Sequence, residues 1–348
     1  MNEQRLHSTA LELMVAQKGL LAMDESIPTC DARFKALGIE QNVDMRRSYR
    51  ELLITTPDMN AAISGVILCA ETFNQSRRDG KSFVQLLSDA NIIAGIKVDA
   101  GTKDMAGFHG EKVTLGLDGL RERLQSYASK GARFAKWRAV FTMGPFTPSQ
   151  ACLDSNAQQL ALYAALCQEC GLVPIVEPET LMGGSHTMQH CASVTEQVLE
   201  TVFHHLYLHR VFLEGLILKI NMVLPGSEAA LPASADDIAV CTVKTLLRRV
   251  PACLPGIVFL SGGQMPEQAS QRLNAINKAY SGHNASVPWP LTFSFSRALQ
   301  QPVLAAWSGE SDNVITAQQI LEHRLRCNQM ALRGEYLPQM EDTAVHEF

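Results

Sequence analysis

The sequence predicts an α/β chain of parallel strands closed as a (β/α)8 TIM barrel. Three observations carry this. Eight short apolar runs recur along the chain, amphipathic helical stretches separate most of them, and charged residues interrupt the runs toward their C-terminal ends, where barrel active sites are built. In order, the runs are GLLAMDES (19–26), ISGVILCAET (63–72), IIAGIKVDA (92–100), FAKWRAVF (134–141), VPIVEPE (173–179), GLILKINMV (215–223), GIVFLSGG (256–263) and LTFSFSR (291–297). Helical periodicity fills 156–170, 193–209 and 234–250, the last opened by Ser234 as N-cap, while 73–91 has room for only a short helix. No linker rich in Pro, Ser or Gly divides the chain. The expected organisation is one domain, 1–336, with an N-terminal helical extension before the first strand and a flexible polar tail at 337–348.

Composition narrows the function classes. With 30 Lys+Arg against 35 Asp+Glu, a formal charge of −5 and no basic stripe, a nucleic-acid partner is not expected. No apolar run reaches the roughly 18 residues that cross a bilayer, and the first residues show neither an h-region nor a small-residue cleavage site, so no membrane and no secretory signal are expected. The nine cysteines are odd in number and scattered, which reads as reduced thiols in a cytoplasmic protein. No GxGxxG follows the first strand and no GxxxxGK[ST] occurs, which weakens the dinucleotide and P-loop alternatives.

Strands of a parallel barrel should be nearly continuous in apolar residues. Here Asp24, Lys97, Asp99, Lys136, Arg138, Glu177, Glu179 and Lys219 interrupt five of the eight. Lys97 with Asp99, Lys136 with Arg138, and Glu177 with Glu179 are i, i+2 pairs and so share a face of their strand. Buried charges must satisfy one another or a ligand. A structural ion-pair layer would do this, as would an active site; convergence on one rim favours the second. Lys219 is the sharpest candidate, set among Leu216, Ile217, Leu218, Ile220, Met222 and Val223. An amine desolvated among apolar groups and near other cations favours its neutral form, which attacks a ketone or aldehyde to give a Schiff base. A salt bridge to Glu177 or Glu179 is the structural alternative for this lysine. Imine formation also needs a proton shuttle, and Glu177 has that chemistry.

A second signal comes from the last two strands. LSGG (260–263) ends the seventh in a turn whose backbone N–H groups can approach an anion, and Arg297 ends the eighth with a bidentate fork. The loops after these strands are a frequent phosphate site in barrels. Other motifs carry less. Cys167-x-x-Cys170 lies at a helix C-terminus, where the dipole disfavours a thiolate. The pairs His186/His190 and His205/His209 have i, i+4 spacing without the HExxH glutamate, and Trp137 reads as barrel packing.

LLAMDES, ISGVIL, GIKVD, FAKWR, VPIVEPE, EGLILKINMV, FLSGGQ, LNAINK and LTFSFSRALQ together resemble the class I (Schiff-base) fructose-1,6-bisphosphate aldolase family, in family order over roughly 18–336. MDES followed by PTC is more similar to bacterial or plastid-type members than to animal ones. The resemblance implies a (β/α) barrel, no metal and no other cofactor for catalysis. It also implies reversible cleavage of fructose 1,6-bisphosphate to dihydroxyacetone phosphate and glyceraldehyde 3-phosphate in glycolysis and gluconeogenesis. The family is usually oligomeric, so a homo-oligomer, often a tetramer, is expected. Carried onto this sequence, the resemblance makes Lys219 the Schiff-base lysine, Glu177 its acid/base, Asp24 the base at the carbon-4 hydroxyl and Lys136 the group that orders the carboxylates, with Arg138 in support. Ser261, Gly262, Gly263 and Arg297, with Ser294 nearby, would hold the carbon-1 phosphate; Ser26, Thr29, Arg33 and Lys97 would lie toward the carbon-6 phosphate. The chain departs from the family pattern in places. Ala32-Arg33 stands where many members have Lys-Arg, Ser296 replaces the glycine before the strand-eight arginine, Ile220 replaces a proline, and Phe348 ends the chain where animal members have a tyrosine.

Overall fold

Eight parallel strands close on themselves in the computed structural model, which describes residues 2–280 and 287–342. They are β1 (Gly19–Met23), β2 (Ile63–Leu68), β3 (Ile93–Lys97), β4 (Phe134–Phe141), β5 (Val173–Thr180), β6 (Ile217–Ile220), β7 (Ile257–Phe259) and β8 (Leu291–Phe295). Each pairs in parallel with its predecessor, and β8 returns to β1 through the register Leu20 to Ser294. The chain is therefore the (β/α)8 barrel that its eight apolar runs predict. Every predicted run contains one barrel strand.

Several helices begin where a short polar side chain caps them. Asn42, Ser82, Ser149, Thr187 and Ser234 each accept a hydrogen bond from the backbone N–H three residues on. The helices predicted at 156–170 and 193–209 start earlier, as Gln150–Glu169 and Met188–Leu208, because their first turns carry no strong apolar period. The third, Ala235–Arg249, starts after Ser234 as expected.

An antiparallel hairpin, Thr102–Asp104 with Lys112–Thr114, lies between β3 and β4 and was not legible in the sequence. Its first strand is fully exposed, so it has no apolar signature. Tertiary polar contacts hold it instead. Buried Glu111 accepts from Ser149 N and Oγ, both at 2.6 Å, and Asn156 Nδ2 donates to Lys112 O at 2.9 Å.

The helix Glu3–Leu13 closes the N-terminal end of the barrel. Its Leu6, Ala10 and Leu13, with Met14, form one cluster with the inward residues Leu20, Ala22, Ile67, Phe134, Val173, Ile175, Ile217 and Val258. Each fully buried aliphatic chain of this size contributes about 1.5–3 kcal/mol, so the plug is part of the core rather than an appendage. At the other end of the chain, Pro338–Glu341 forms a 3-10 turn tied to the helix Val314–Arg333 by Arg324 and Glu341; the last residues of the expected tail, 343–348, lie outside the described residues. Among the described residues, no helix is long and apolar enough to cross a membrane.

Inside the barrel, small and large residues alternate between neighbouring strands. Gly95 on β3 is in register with Phe134 on β4, and a Cβ at Gly95 would stand 2.2 Å from the Phe134 ring. Gly95→Ala should therefore destabilise the fold by about 1–3 kcal/mol through overpacking. A lowered chemical-denaturation midpoint with unchanged slope is the expected result.

Candidate active site

Strand alternation places the charges. On β4, Phe134 belongs to the interior cluster, so Lys136 and Arg138 follow it on the same face. Ile175 places Glu177 and Glu179 inward in the same way, Ile217 places Lys219, and Leu20 and Ala22 place Asp24 just beyond the end of β1. Apolar residues thus fill the lower barrel, and the charges meet at its C-terminal mouth.

Four of them form a continuous buried chain. Lys219 Nζ lies 3.0 Å from Glu177 Oε1, Lys136 Nζ lies 3.0 Å from Glu177 Oε2, and Lys136 Nζ lies 2.6 Å from Asp24 Oδ2. None of the four residues is more than 8% exposed. The contact between Lys136 and Glu177 is close but not aligned as a hydrogen bond, which leaves Glu177 Oε2 with free acceptor capacity.

The charge states follow from this arrangement. Burial opposes ionisation of Asp24, but the neighbouring Lys136 and Lys219 outweigh it, helped by the Lys136 hydrogen bond and Lys97, and hold the carboxyl at about 2. Burial works against Glu177 in the same sense, and Lys136, Lys219 and Arg138 bring it below its usual value. Burial also disfavours the Lys136 ammonium, yet Asp24, Glu177 and Asp99 keep it firmly protonated. The result is a fixed cation between two carboxylates, with a second amine on the outer side of one of them. This geometry lets the outer amine exchange a proton with Glu177 without solvent.

The remaining predicted residues surround this chain. Arg138 Nε pairs with Glu179 Oε2 at 2.5 Å, and Lys97 Nζ bonds both the carboxylate and the carbonyl oxygen of Asp99, the latter at 2.9 Å. Ser261 is buried at the end of β7, and Gly262 and Gly263 follow at φ +54° and +86°, a left-handed turn that favours glycine. A Cβ on Gly263 would stand 3.5 Å from Arg297 Nη1, so the turn and the arginine are neighbours, as their adjacent strands predict. The Ser294 hydroxyl is buried without a partner. Ser26 and Thr29 are exposed at the start of the helix Ile27–Ala36, their hydroxyls 2.9 Å apart.

The resemblance puts Arg33 and Arg297 at different phosphates, yet both line one cavity of about 390 Å3, along with Gln300 and Gln301. The residue that organises this side has almost no sequence signature. Glu25, with its side chain only 6% exposed, binds Arg33 at 2.5 Å, Arg50 at 2.6 Å, Gln300 at 2.7 Å and Ser296 Oγ at 2.9 Å. The Ser296 hydroxyl, standing where the family has glycine, donates to Glu25. The one available signal was that Glu25 adds a second acid beside Asp24 on the opposite face of the segment. Its partners Arg50 and Gln300 are distant in sequence and could not be paired with it. Cys167 is buried in the helix core, with its thiol pushed well up by burial. Neither the Cys167/Cys170 pair nor the His186/His190 and His205/His209 pairs enter a three-donor metal cluster among the described residues.

A family model described as class-I fructose-bisphosphate aldolase matches residues 5–348. The chain belongs to the class I fructose-bisphosphate aldolase family. A relative from Xanthomonas campestris, described as a probable fructose-bisphosphate aldolase class 1, is 48% identical over 337 residues, covering 97% of this chain and 99% of its own. Fructose-bisphosphate aldolase 5, cytosolic, of Arabidopsis thaliana is 50% identical over 331 residues, covering 95% of this chain and 91% of its own. The solved aldolase of Plasmodium falciparum, in complex with TRAP and a small-molecule inhibitor, superposes with a TM-score of 0.93 at 45% identity over 96% of each chain. The aldolase barrel is therefore shared over nearly the full length.

Asp24 is lowered from 3.8 to about 2 in the folded chain, so its contribution to stability is complete above the unfolded value and is lost as pH falls through the folded one. Between about pH 4 and pH 2 the wild-type denaturation midpoint should fall, and Asp24→Asn should flatten that part of the profile. A variant curve parallel to wild type across this window would contradict the charge assignment.

Proposed function

We propose that this aldolase forms its Schiff base on Lys219, and that the observation carrying the assignment is the convergence of Lys219, Glu177, Lys136 and Asp24 in one buried chain at the barrel mouth, which a lone salt bridge between Lys219 and Glu177 would not need. The reaction is the reversible aldol cleavage of fructose 1,6-bisphosphate to dihydroxyacetone phosphate and glyceraldehyde 3-phosphate, used in glycolysis and gluconeogenesis.

Lys219 first passes a proton to Glu177, and the free amine adds to the ketone carbon of the open-chain sugar. Glu177 returns that proton to the carbinolamine oxygen, then takes a second proton from the nitrogen and delivers it to the same oxygen, which leaves as water and makes the imine. The resulting protonated imine accepts the electron pair of the breaking carbon–carbon bond. Asp24, ionised well below neutral pH, takes the proton of the carbon-4 hydroxyl as the aldehyde departs. Lys136, 2.6 Å from Asp24 and 3.0 Å from Glu177, keeps the two carboxylates apart and balances their charge through the cycle. Arg138 supports the site from β4 through Glu179.

At the carbon-1 phosphate, Ser261, Gly262, Gly263 and Arg297 offer backbone and guanidinium donors, and the unpaired Ser294 hydroxyl has a free bond to give. At the carbon-6 phosphate stand Ser26, Thr29, Arg33 and Lys97. Arg33 and Lys97 are held by Glu25 and Asp99, so a phosphate must compete with those carboxylates. We place the enzyme in the cytoplasm as a homo-oligomer. The free cysteines and the cytosolic plant relative support the first, and the family's usual assembly supports the second.

Borohydride reduction in the presence of dihydroxyacetone phosphate should leave a covalent adduct on Lys219 by peptide mass spectrometry, and Lys219→Met should abolish both adduct and turnover. EDTA should leave cleavage unchanged; chelator-sensitive activity without an adduct would indicate a metal aldolase. Glu177→Gln should lower kcat by about 10²–10⁴-fold. Equal turnover of fructose 1-phosphate and the bisphosphate would replace this reading with a lysine-dependent lyase for mono-phosphates.

A further inference from the structure

Away from the barrel mouth, His323 and Cys327 stand four residues apart on the helix Val314–Arg333, on one face, and Glu341 reaches them from the Pro338–Glu341 turn. Their ligating atoms all lie within 4.8 Å of one another, and no other group of three such donors occurs among the described residues. The His323 Nε2 to Glu341 Oε2 and His323 Nε2 to Cys327 Sγ distances are both 3.4 Å. Zinc bonds of about 2.0 Å to N or O and about 2.3 Å to S put the donors of a tetrahedral site about 3.3–3.6 Å apart. Two edges of that tetrahedron are thus already at the required length.

We propose that His323, Cys327 and Glu341 form a binding site for a zinc-class divalent cation that ties the turn before the C-terminus to the helix Val314–Arg333. One imidazole, one thiolate and one carboxylate are a borderline-soft donor set, suited to Zn2+ or Co2+ and not to Mg2+ or Ca2+. Binding forms a metal–sulfur bond and releases the thiol proton to solvent, with no change of oxidation state. Two negative donors balance the cation. Cys327 is fully buried, whereas the His323 and Glu341 side chains are 16% and 21% exposed, so the cation enters, and a fourth water ligand sits, on their side.

The surroundings fit a metal-binding carboxylate. Glu341 Oε1 accepts from Tyr336 Oη at 2.8 Å and from Arg324 Nη1 at 2.6 Å, the outer hydrogen bonds that orient such a ligand. Arg324 also lies 2.5 Å from Oε2, and that contact must give way to the metal. Arg324 keeps its own anchors, donating through Nη2 to Pro266 O and Ser270 Oγ. A reactive-thiol role for Cys327 fits less well, because burial pushes its thiol up to about 12 and a free thiolate is scarce. A metal ion supplies the charge that would favour the thiolate here.

The test uses the full chain, stripped with chelator and dialysed. Titration with Zn2+ against a chromophoric chelator should show one equivalent bound tightly, and Co2+ should give the near-ultraviolet thiolate-to-cobalt band with the intense visible bands of a tetrahedral ion. Loss of an outer hydrogen-bond partner in metal sites costs about 10–100-fold in affinity, so removing a ligand in His323→Ala or Cys327→Ser should weaken zinc binding by at least about 100-fold. Both variants should retain wild-type aldolase turnover, which shows that they are folded. Absence of stoichiometric zinc binding by the wild-type chain, equal affinity in the variants, or a cobalt spectrum lacking the thiolate band would each overturn the proposal.

Discussion

The active end of this barrel is governed by one ammonium group. Lys136 sits between Asp24 and Glu177, and it is the largest single influence that keeps both carboxylates ionised so deep in the protein. With Lys219 on the far side of Glu177, two amines and two carboxylates alternate in contact. A cluster of this kind adds little net stability compared with a well-packed apolar core. It supplies preorganisation: each group is held where a reacting atom would need it, and little reorganisation is required when charge moves.

The rest of the fold keeps that cluster in place. The helix Glu3–Leu13 packs apolar side chains under it and keeps water out of the lower barrel. Glu25 gathers Arg33, Arg50, Gln300 and Ser296 on the outside of β1 and β8, so the segment that carries Asp24 is braced from the opposite face. Removing one partner from such a buried network leaves the others unsatisfied, which makes its members unequal in consequence to surface ion pairs of the same length. Ser296 shows how local substitutions are absorbed. Its hydroxyl serves this brace instead of facing the phosphate turn.

Much of this was readable from residue order. Eight apolar runs located eight strands, and i, i+2 spacing placed Lys136 with Arg138 and Glu177 with Glu179 on shared faces, because strand side chains alternate by geometry alone. The hairpin at Thr102–Asp104 and Lys112–Thr114 was missed because exposed strands held by distant polar partners leave no apolar period. Glu25 was missed for a related reason: its partners come from residues 33, 50, 296 and 300, and no spacing rule links them. Arg33 and Arg297 share a cavity that assignment to separate phosphates did not anticipate.

The sequence by itself determined the barrel and the set of inward charges, since alternation and apolar content are local properties that each strand carries with it. Only the tertiary structure decided which charge meets which. The contact of Lys219 with Glu177 rather than Glu179, the position of Lys136 between two acids, and the meeting of Glu341 with His323 and Cys327 all depend on how elements far apart in the chain are brought within a few ångströms. Ion pairing and ligation fall off steeply with distance, and distance between strands is fixed by closure of the sheet, not by the order of residues along it.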